Sequence, residues 1–248
     1  MKPLFQIPTV KPPKINFKDL VLFEDQDFIL INKPPFISTL EDRNENFNIL
    51  SLAREVEPDP QVCHRLDKDT SGVLAIARNP AAYRHLSMQF ENREVTKTYH
   101  AVADGIHHFE NELVDAPIAK LSDGTVKISR DGKPAQTYFS TAKSYKSHTL
   151  ISCNPVTGRM HQIRIHLALL KASITGDETY GGTPFLVSSI KRNFHLKKMT
   201  DELPLMKRMA LHAHSLEFSL IDGKKIIVEA PYPKDFRALI KQLEAYAR

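Results

Sequence analysis

The chain has 248 residues, with 34 Lys and Arg against 29 Asp and Glu, which gives a formal net charge of +5. The hydrophobic fraction of 42% and the charged fraction of 25% are typical of globular proteins and exclude wholesale disorder. No run approaches the roughly 18–20 apolar residues of a membrane span, and two cysteines are too few for a disulfide framework. We therefore expect a cytoplasmic protein without a membrane segment, and the basic sequence pI of about 9.1 is mild evidence for a polyanionic partner.

The first third of the chain mixes strand and helix signals. Residues 1–19 hold four prolines and no strand pattern, which predicts an extended N-terminal arm before a single domain over residues 20–248. Apolar runs at 20–23, 27–31 and 72–77 predict strands. Residues 47–56 have helical spacing, and Asn79-Pro80 is a typical helix start, since Asn caps well and Pro suits the first turn.

The rest of the chain favours strands. Alternating segments occupy much of 95–151, and turn dipeptides at Asp123-Gly124 and Asp131-Gly132 separate them. Residues 160–170 are ambiguous between strand and helix. A hairpin is expected around Asp222-Gly223, and a last helix after Pro233. Strands outnumber helices without regular alternation, which predicts an α+β fold with a long mixed, mainly antiparallel sheet flanked by helices and loops.

One loop carries chemistry-bearing residues between a helix signal and an apolar strand. It reads His64-Arg65-Leu66-Asp67-Lys68-Asp69-Thr70-Ser71-Gly72. Asp67 and Asp69 are candidate nucleophiles or acid–base groups, and Arg65 is a candidate partner for a phosphate or a carboxylate. From composition alone, carboxylates that cap a turn are the more ordinary interpretation.

A second segment, residues 157–166, is basic beside a glycine turn. It contains Arg159, His161, Gln162, Arg164 and His166. In an extended conformation His161 and Ile163 would share one face, and Gln162, Arg164 and His166 the other. An anion site and a solvated basic face are equally consistent with this pattern.

Three weaker signals remain. Lys97 and Tyr99 would share one face of a strand, where Tyr99 is suited to stack on a base. Histidine spacing gives no convincing metal site, and no glycine-rich loop fits a nucleotide-binding fingerprint. The basic run 191–208, with six positive charges against two negative, fits either a nucleic-acid footprint or a solvated loop.

Taken together, these segments resemble the RluA-type family of RNA pseudouridine synthases. Residues 64–72 fit the family signature HRLDxxTSG at every fixed position, and residues 97–99 resemble its second motif. Residues 132–135, 158–164, 176–181 and 211–213 resemble, in the family's order, GKPA, GRxHQ[IL]R, GDxxYG and LHA. The early Asn32-Lys33-Pro34 also fits, whereas Phe36 and Lys171 lie where relatives often have glycine.

The resemblance implies a single catalytic domain with a central cleft that isomerises uridine in RNA to pseudouridine without a cofactor or metal. It makes Asp67 the nucleophile, and Arg164 the partner that keeps Asp67 ionised and aimed. Tyr99 would pack against the uracil and assist proton movement at C5. His64, Arg65, Lys97, His161, Gln162 and Ile163 would contact the substrate or the RNA.

The RNA itself is not specified by these motifs. Ribosomal RNA and transfer RNA stem-loops are both expected substrates, and the small accessory RNA-binding domain of many relatives is not expected here. A monomer is the default expectation. Two alternatives stay open: a glycosidic-bond hydrolase that uses Asp67 and Asp69 as a carboxylate pair, and an RNA-binding protein that has lost the chemistry.

Overall fold

The computed structural model describes residues 15–41, 47–191, 194–195 and 201–246. The described strands are β1 (Val21–Glu24), β2 (Phe28–Lys33), β3 (Gln61–Val62), β4 (Ser71–Ala77), β5 (Thr96–Asp104), β6 (Glu112–Asp115), β7 (Ile118–Lys120), β8 (Val126–Ile128), β9 (Gln136–Ser144), β10 (His148–Pro155), β11 (Leu211–Ser219) and β12 (Lys225–Glu229). The described α-helices are α1 (Ile49–Arg54), α2 (Pro80–Glu91), α3 (Gln162–Leu169) and α4 (Lys234–Ala245).

Ten of these strands form one sheet in the order β1-β2-β4-β11-β5-β10-β9-β6, with β3 beside β4 and β12 beside β11. The β4–β11 pair is parallel and the other pairs in this sheet are antiparallel. Strands β7 and β8 form a separate hairpin. The predicted α+β fold with a mixed, mainly antiparallel sheet is thus confirmed.

Both faces of the sheet are covered near its centre. In β2, Phe28 and Leu30 pack with α2 residues, whereas Ile29 and Ile31 pack with α1 residues on the opposite face. Strand β4 is buried along its whole length for the same reason. A third cluster places α3 and α4 against β5, β9 and β10. The predicted strand in 72–77 therefore lies at the centre of the fold, and it begins directly after the candidate loop.

The helix start predicted at Asn79-Pro80 is confirmed. The Asn79 side chain accepts a hydrogen bond from the backbone of Ala82, and Pro80 is the first residue of α2. The hairpin around Asp222-Gly223 and the helix after Pro233 are also present.

Two predictions at chain level need correction. The arm 1–19 is not extended throughout, because Phe17–Leu20 is a short 3-10 helix whose Phe17 is buried; residues 1–14 lie outside the described residues. Within 160–170 the ambiguity resolves to helix α3, so the face alternation of an extended segment is wrong. Its buried side chains are those of Gln162, Ile163, His166 and Leu167, which share one face of a helix.

The two departures from the expected motif pattern, Phe36 and Lys171, both have a left-handed backbone. Phe36 has φ of 67° and Lys171 has φ of 58°. Such angles are uncommon for residues other than glycine. The loop geometry at these two positions is therefore one that glycine adopts readily, although neither residue is glycine.

Among the described residues, no helix combines the length and the hydrophobicity needed to cross a bilayer.

Candidate active site

A cleft of about 630 Å³ opens where the loop after β3, strand β5 and the start of α3 meet. This volume suits a nucleotide-sized ligand. The lining includes all nine residues predicted from the sequence as catalytic or substrate-binding: His64, Arg65, Asp67, Lys97, Tyr99, His161, Gln162, Ile163 and Arg164. Residues up to 100 positions apart in sequence are thus brought to one place.

The loop that carries Asp67 is fixed by hydrogen bonds to its backbone from three directions. Thr39 Oγ1 donates to the Leu66 carbonyl (2.8 Å) and accepts from its N–H (3.1 Å). Lys33 Nζ donates to the Lys68 carbonyl (3.1 Å), and Arg208 Nη1 donates to the Asp69 carbonyl (2.9 Å). Since neighbours on both sides of Asp67 are fixed, the position of its carboxylate is determined by the fold rather than by a flexible loop.

His64 anchors the same loop. Its Nε2 accepts a hydrogen bond from the Ala75 N–H of β4 (3.0 Å), and its ring lies 5.1 Å from that of Phe90. Burial, followed by the charge of Lys97, lowers the pKa of His64 to about 3. A neutral imidazole whose acceptor nitrogen is already bonded is suited to positioning the loop. His64 therefore holds the loop at the edge of the cleft, and its expected contact with the RNA stays a prediction.

The loop ends at Gly72, where two backbones approach closely. Gly72 has φ of +118°, and a Cβ there would lie 2.0 Å from the Ala213 carbonyl oxygen of β11. Neither the angle nor the space admits a side chain.

We predict that Gly72→Ala destabilises the fold by about 2–4 kcal/mol, because backbone strain and a backbone clash add together. Gly124→Ala is the matched control: its φ is +87° but nothing lies within 4 Å of the added Cβ. Urea unfolding of both variants should show the smaller loss for Gly124→Ala, and equal losses would contradict the close approach at Gly72.

Arg164 faces Asp67 but is held mainly by another carboxylate. Its Nη1 lies 3.8 Å from Asp67 Oδ2. Its Nε and Nη2 donate to the two carboxylate oxygens of Asp177 at 2.6 and 2.8 Å. Burial alone would lower the pKa of Arg164, but the hydrogen bonds with Asp177 and the charge of Asp67 raise it above its usual value. The guanidinium is therefore a fixed positive charge beside Asp67.

A histidine lies beside the same carboxylate oxygen. His161 Nε2 is 3.9 Å from Asp67 Oδ2, and His161 Nδ1 is 2.9 Å from the hydroxyl of Tyr180. The Tyr180 ring also lies under the Arg164 guanidinium, 4.9 Å from its carbon to the ring centroid.

Tyr99 and Lys97 extend from one face of β5 into the cleft, as predicted. Burial, and after it the charge of Asp67, raises the pKa of the Tyr99 phenol. Burial lowers the pKa of Lys97 to about 8, and its Nζ donates to the Thr157 carbonyl (3.3 Å). At neutral pH the cleft therefore presents a phenol near Asp67 and, elsewhere in its lining, an ammonium group.

The remaining predicted residues divide between the rim and the wall of the cleft. Arg65 is exposed at the rim, where it is accessible to a phosphate, and Ile163 is a buried apolar wall residue. The Gln162 amide is buried and bonded: its oxygen accepts from Thr157 Oγ1 (2.7 Å) and Arg159 N (2.9 Å), and its nitrogen donates to Gln136 O (2.9 Å). Gln162 thus shapes the turn before α3 and is not available to bind RNA through its side chain.

Four supporting residues were not identified from the sequence as site residues. Asp177, Tyr180 and Lys33 matched motifs of the family, but no role was predicted for them. The fourth, Arg208, belongs to the basic run 191–208, for which the sequence allowed two interpretations, a nucleic-acid footprint or a solvated loop. Both are wrong for Arg208, whose side chain is fully buried. Arg192, Lys197 and Lys198 of that run lie outside the described residues.

Beneath the loop, His212 connects β4 to the chain after β12. Its Nδ1 bonds the Ser71 hydroxyl (2.9 Å) and its Nε2 bonds the Ala230 carbonyl (3.0 Å). Because a carbonyl only accepts, Nε2 carries the proton and Nδ1 accepts from Ser71. Burial lowers the pKa of His212 to about 4.

This pKa predicts a pH dependence of stability. The folded value lies below the unfolded value of about 6.5, so between those two pH values the unfolded chain binds a proton that the native chain does not. Stability therefore falls as pH falls through this window, with a slope of up to about 1.4 kcal/mol per pH unit from His212. We expect His212→Gln to reduce this slope and His195→Gln, at an exposed position, to leave it unchanged. An unchanged slope in His212→Gln would contradict the assignment.

Within the ranges that the structure describes, no group of three or more His, Cys, Asp or Glu side chains is arranged to hold a metal ion. Of the two carboxylates of the hydrolase alternative, Asp67 lines the cleft and Asp69 is not among its lining residues.

Comparison with known proteins identifies the family of this chain. The family model described as RNA pseudouridylate synthase matches residues 27–169. Ribosomal large subunit pseudouridine synthase C of Buchnera aphidicola is 34% identical over 237 residues, covering 92% of this chain and 72% of that protein. An uncharacterized RNA pseudouridine synthase of Zymomonas mobilis is 36% identical over 229 residues, covering 88% of this chain and 96% of that protein.

A solved structure supports the fold. Human RNA pseudouridylate synthase domain containing 4 superposes with a TM-score of 0.70 at 23% sequence identity, covering 92% of this chain and 95% of that chain. The match of the family model to more than half of the chain, and relatives above 30% identity over most of their length, establish the family. The chain belongs to the RNA pseudouridylate synthase family, whose members are RNA isomerases.

Proposed function

We propose that this chain converts uridine to pseudouridine in ribosomal RNA, with Asp67 as the nucleophile and without a cofactor. The observation that carries this proposal is the Asp67 carboxylate in the cleft, with Arg164 3.8 Å from one of its oxygens and Tyr99 of β5 lining the same cleft. Relatives named ribosomal large subunit pseudouridine synthase C support ribosomal RNA as the substrate. A transfer RNA stem-loop is the second substrate to test.

The reaction itself explains why a carboxylate is suited to it. The C1′–N1 bond breaks, the uracil turns, a C1′–C5 bond forms, the hydrogen at C5 leaves as a proton, and N1 takes up a proton. Product and substrate contain the same atoms, so no oxidant or reductant is consumed. A covalent bond between an Asp67 oxygen and the substrate divides this change into smaller steps and keeps the uracil in the site while it turns. The same bond breaks when C5 has joined C1′.

Arg164 makes Asp67 available for that attack. Its own hydrogen bonds go to Asp177, so it adds positive charge near Asp67 without occupying both carboxylate oxygens. The ion pair of Arg164 and Asp177 is nearly inaccessible to solvent, with side-chain exposures of 11% and 2%. Electrostatic interactions are strong where water is excluded, and a fixed charge costs no reorganisation during the reaction.

Tyr99 has two successive roles in this proposal. As a protonated phenol it packs against the displaced uracil. Once Asp67 is esterified its charge is lost, and with it one of the two causes that raise the pKa of Tyr99. The phenol therefore gives up its own proton more readily after the covalent bond has formed, and the resulting phenolate is the form that can take the proton from C5.

The rim of the cleft supplies contacts to the RNA backbone. Arg65, Arg93 and Arg159 lie along it with Lys97 deeper inside. A uridine must leave its stack to reach Asp67, at a cost of a few kcal/mol, and base stacking and phosphate contacts offset that cost. Arg65 lies two residues before Asp67 in the chain and is suited to occupy or border the gap left by the displaced base. A monomeric, cytoplasmic enzyme stays a prediction.

The test is pseudouridine mapping of ribosomal and transfer RNA from cells with and without this protein. Carbodiimide labelling and primer extension would locate each modified uridine. We expect one or a few ribosomal sites to lose the modification in the deletion strain and to regain it with the wild-type gene. Unchanged maps in both RNA classes would overturn the proposed activity, and a lost transfer RNA site alone would overturn ribosomal RNA as the substrate.

A further inference from the structure

Beside Asp67, two side chains form a hydrogen-bonded pair to which the proposed chemistry assigns no role. His161 Nδ1 lies 2.9 Å from the Tyr180 hydroxyl, and His161 Nε2 faces Asp67 Oδ2 at 3.9 Å. Both residues border the Arg164 guanidinium, because Tyr180 stacks under it and His161 precedes α3 by one residue.

The direction of the hydrogen bonds can be worked out from the backbone. The Val126 N–H of β8 donates to the Tyr180 hydroxyl oxygen at 3.1 Å. A backbone N–H can only donate, which fills one acceptor position of the Tyr180 oxygen and favours donation of its phenolic hydrogen to His161 Nδ1. In a neutral imidazole one nitrogen accepts and the other carries the hydrogen. The hydrogen of His161 is therefore on Nε2, the nitrogen that faces Asp67.

The surroundings of His161 favour this neutral form. Burial is the main cause that lowers its pKa, and Arg164 and Arg65 lower it further, while Asp67 and Asp177 oppose them. A neutral ring adds no full charge beside the nucleophile. The tautomer therefore decides the interaction: Nε2 either donates a hydrogen bond to Asp67 or presents a lone pair that repels the carboxylate.

We propose that His161, oriented by Tyr180, is a positioning residue for Asp67: its Nε2–H and Arg164 Nη1 both address Oδ2, which directs Oδ1 to the substrate. This inference rests on the proposed role of Asp67 as the nucleophile. At 3.9 Å the contact is longer than a hydrogen bond, and contacts of this kind tighten when substrate binds. Among the described residues, Oδ2 is the oxygen with both neighbours.

The backbone of His161 allows a sharp pair of substitutions. His161 has φ of 52°, a left-handed angle that Asn tolerates better than Gln. The amide nitrogen of Gln can reach the position of Nε2, whereas Asn is short and reaches only the position of Nδ1. A purely conformational role therefore favours His161→Asn, and a donor role toward Asp67 favours His161→Gln.

We expect His161→Gln to keep single-turnover isomerisation within about 5-fold of wild type and His161→Asn to lower it about 10- to 100-fold, the effect of one hydrogen bond to a charged group. The Kd for the RNA should change less than twofold in both variants. The reverse order, with His161→Asn the more active, would overturn the proposal.

Tyr180→Phe isolates the hydroxyl, because the ring under Arg164 is kept. The direct readout is the ring ¹⁵N spectrum of the full chain labelled in histidine, with the His161 signals assigned from His161→Gln. We expect the Nε2–H tautomer in wild type and a mixture of both tautomers in Tyr180→Phe. An Nδ1–H tautomer in wild type would overturn the proposal. This spectrum requires no activity, so it separates failure of this inference from failure of the proposed reaction.

Discussion

Asp67→Asn is expected to abolish isomerisation while the protein still binds RNA. The amide of Asn is a poor nucleophile, so the covalent step is lost, and loss of a nucleophile typically lowers the rate by at least about 10⁴-fold. Binding should be unchanged or slightly tighter, because the substitution removes a negative charge that repels phosphates. The fold should persist, since the side chain of Asp67 is partly exposed and the loop is held through its neighbours.

The matched control is Asp69→Asn in the same loop. The backbone of Asp69 is bonded by Arg208, but its side chain is not part of the cleft lining. We expect this variant to keep wild-type activity. Single-turnover rates and filter-binding Kd values for both variants distinguish three possibilities: Asp67 is the nucleophile, Asp67 and Asp69 act as a pair, or the nucleophile is another residue. Equal loss in both variants would favour a carboxylate pair, and activity in Asp67→Asn would place the nucleophile elsewhere.

Arg208→Met is expected to give the largest loss of stability. The fully buried guanidinium donates to both carboxylate oxygens of Asp235 at 2.7 and 3.0 Å. It also donates to the carbonyls of Asp69 (2.9 Å) and Leu211 (3.1 Å) and to Ser71 Oγ (3.2 Å). Removing one partner of such a pair leaves a partly buried charge and unpaired carbonyls, which costs about 3–5 kcal/mol. For a chain of this size, Tm should fall by about 6–20 °C.

Arg237→Met is the control, because Arg237 is exposed on the same helix, α4, and its replacement should cost less than about 0.5 kcal/mol. The double variant Arg208→Met with Asp235→Asn should recover part of the loss, since the orphaned carboxylate is removed with its partner. Equal stability of Arg208→Met and Arg237→Met would contradict the role of Arg208 as an anchor of the loop that carries Asp67.

Features of the fold that depend on local physics were accessible from the sequence. The buried strand β4 is a continuous apolar run, and the start of α2 is marked by a cap and a proline, so both were predicted near their observed bounds. The sequence did not decide between helix and strand for residues 160–170. An eight-residue helix that contains Ile163, Ile165 and Leu167 also satisfies the alternation of a strand.

The candidate site likewise contains residues that the sequence identified and partners that it did not. Asp67, Tyr99 and Arg164 were identified through motifs, and they meet in one cleft. The partners that hold them were not, because the bond from Arg164 to Asp177 exists only after the chain folds. Arg208 shows the limit most clearly: in sequence it follows Lys207 at the end of a basic run, whereas its neighbours in space are carbonyls and a carboxylate.

The central claim is that this chain moves the glycosidic bond of uridine from N1 to C5. The most direct measurement is tritium release from ribosomal RNA labelled at uridine C5, taken from the deletion strain and incubated with purified wild-type protein or Asp67→Asn. The account predicts that wild type releases one tritium for each pseudouridine formed at the mapped site, and that Asp67→Asn releases none. The account would be contradicted if the wild-type protein bound this RNA but released no tritium and formed no pseudouridine.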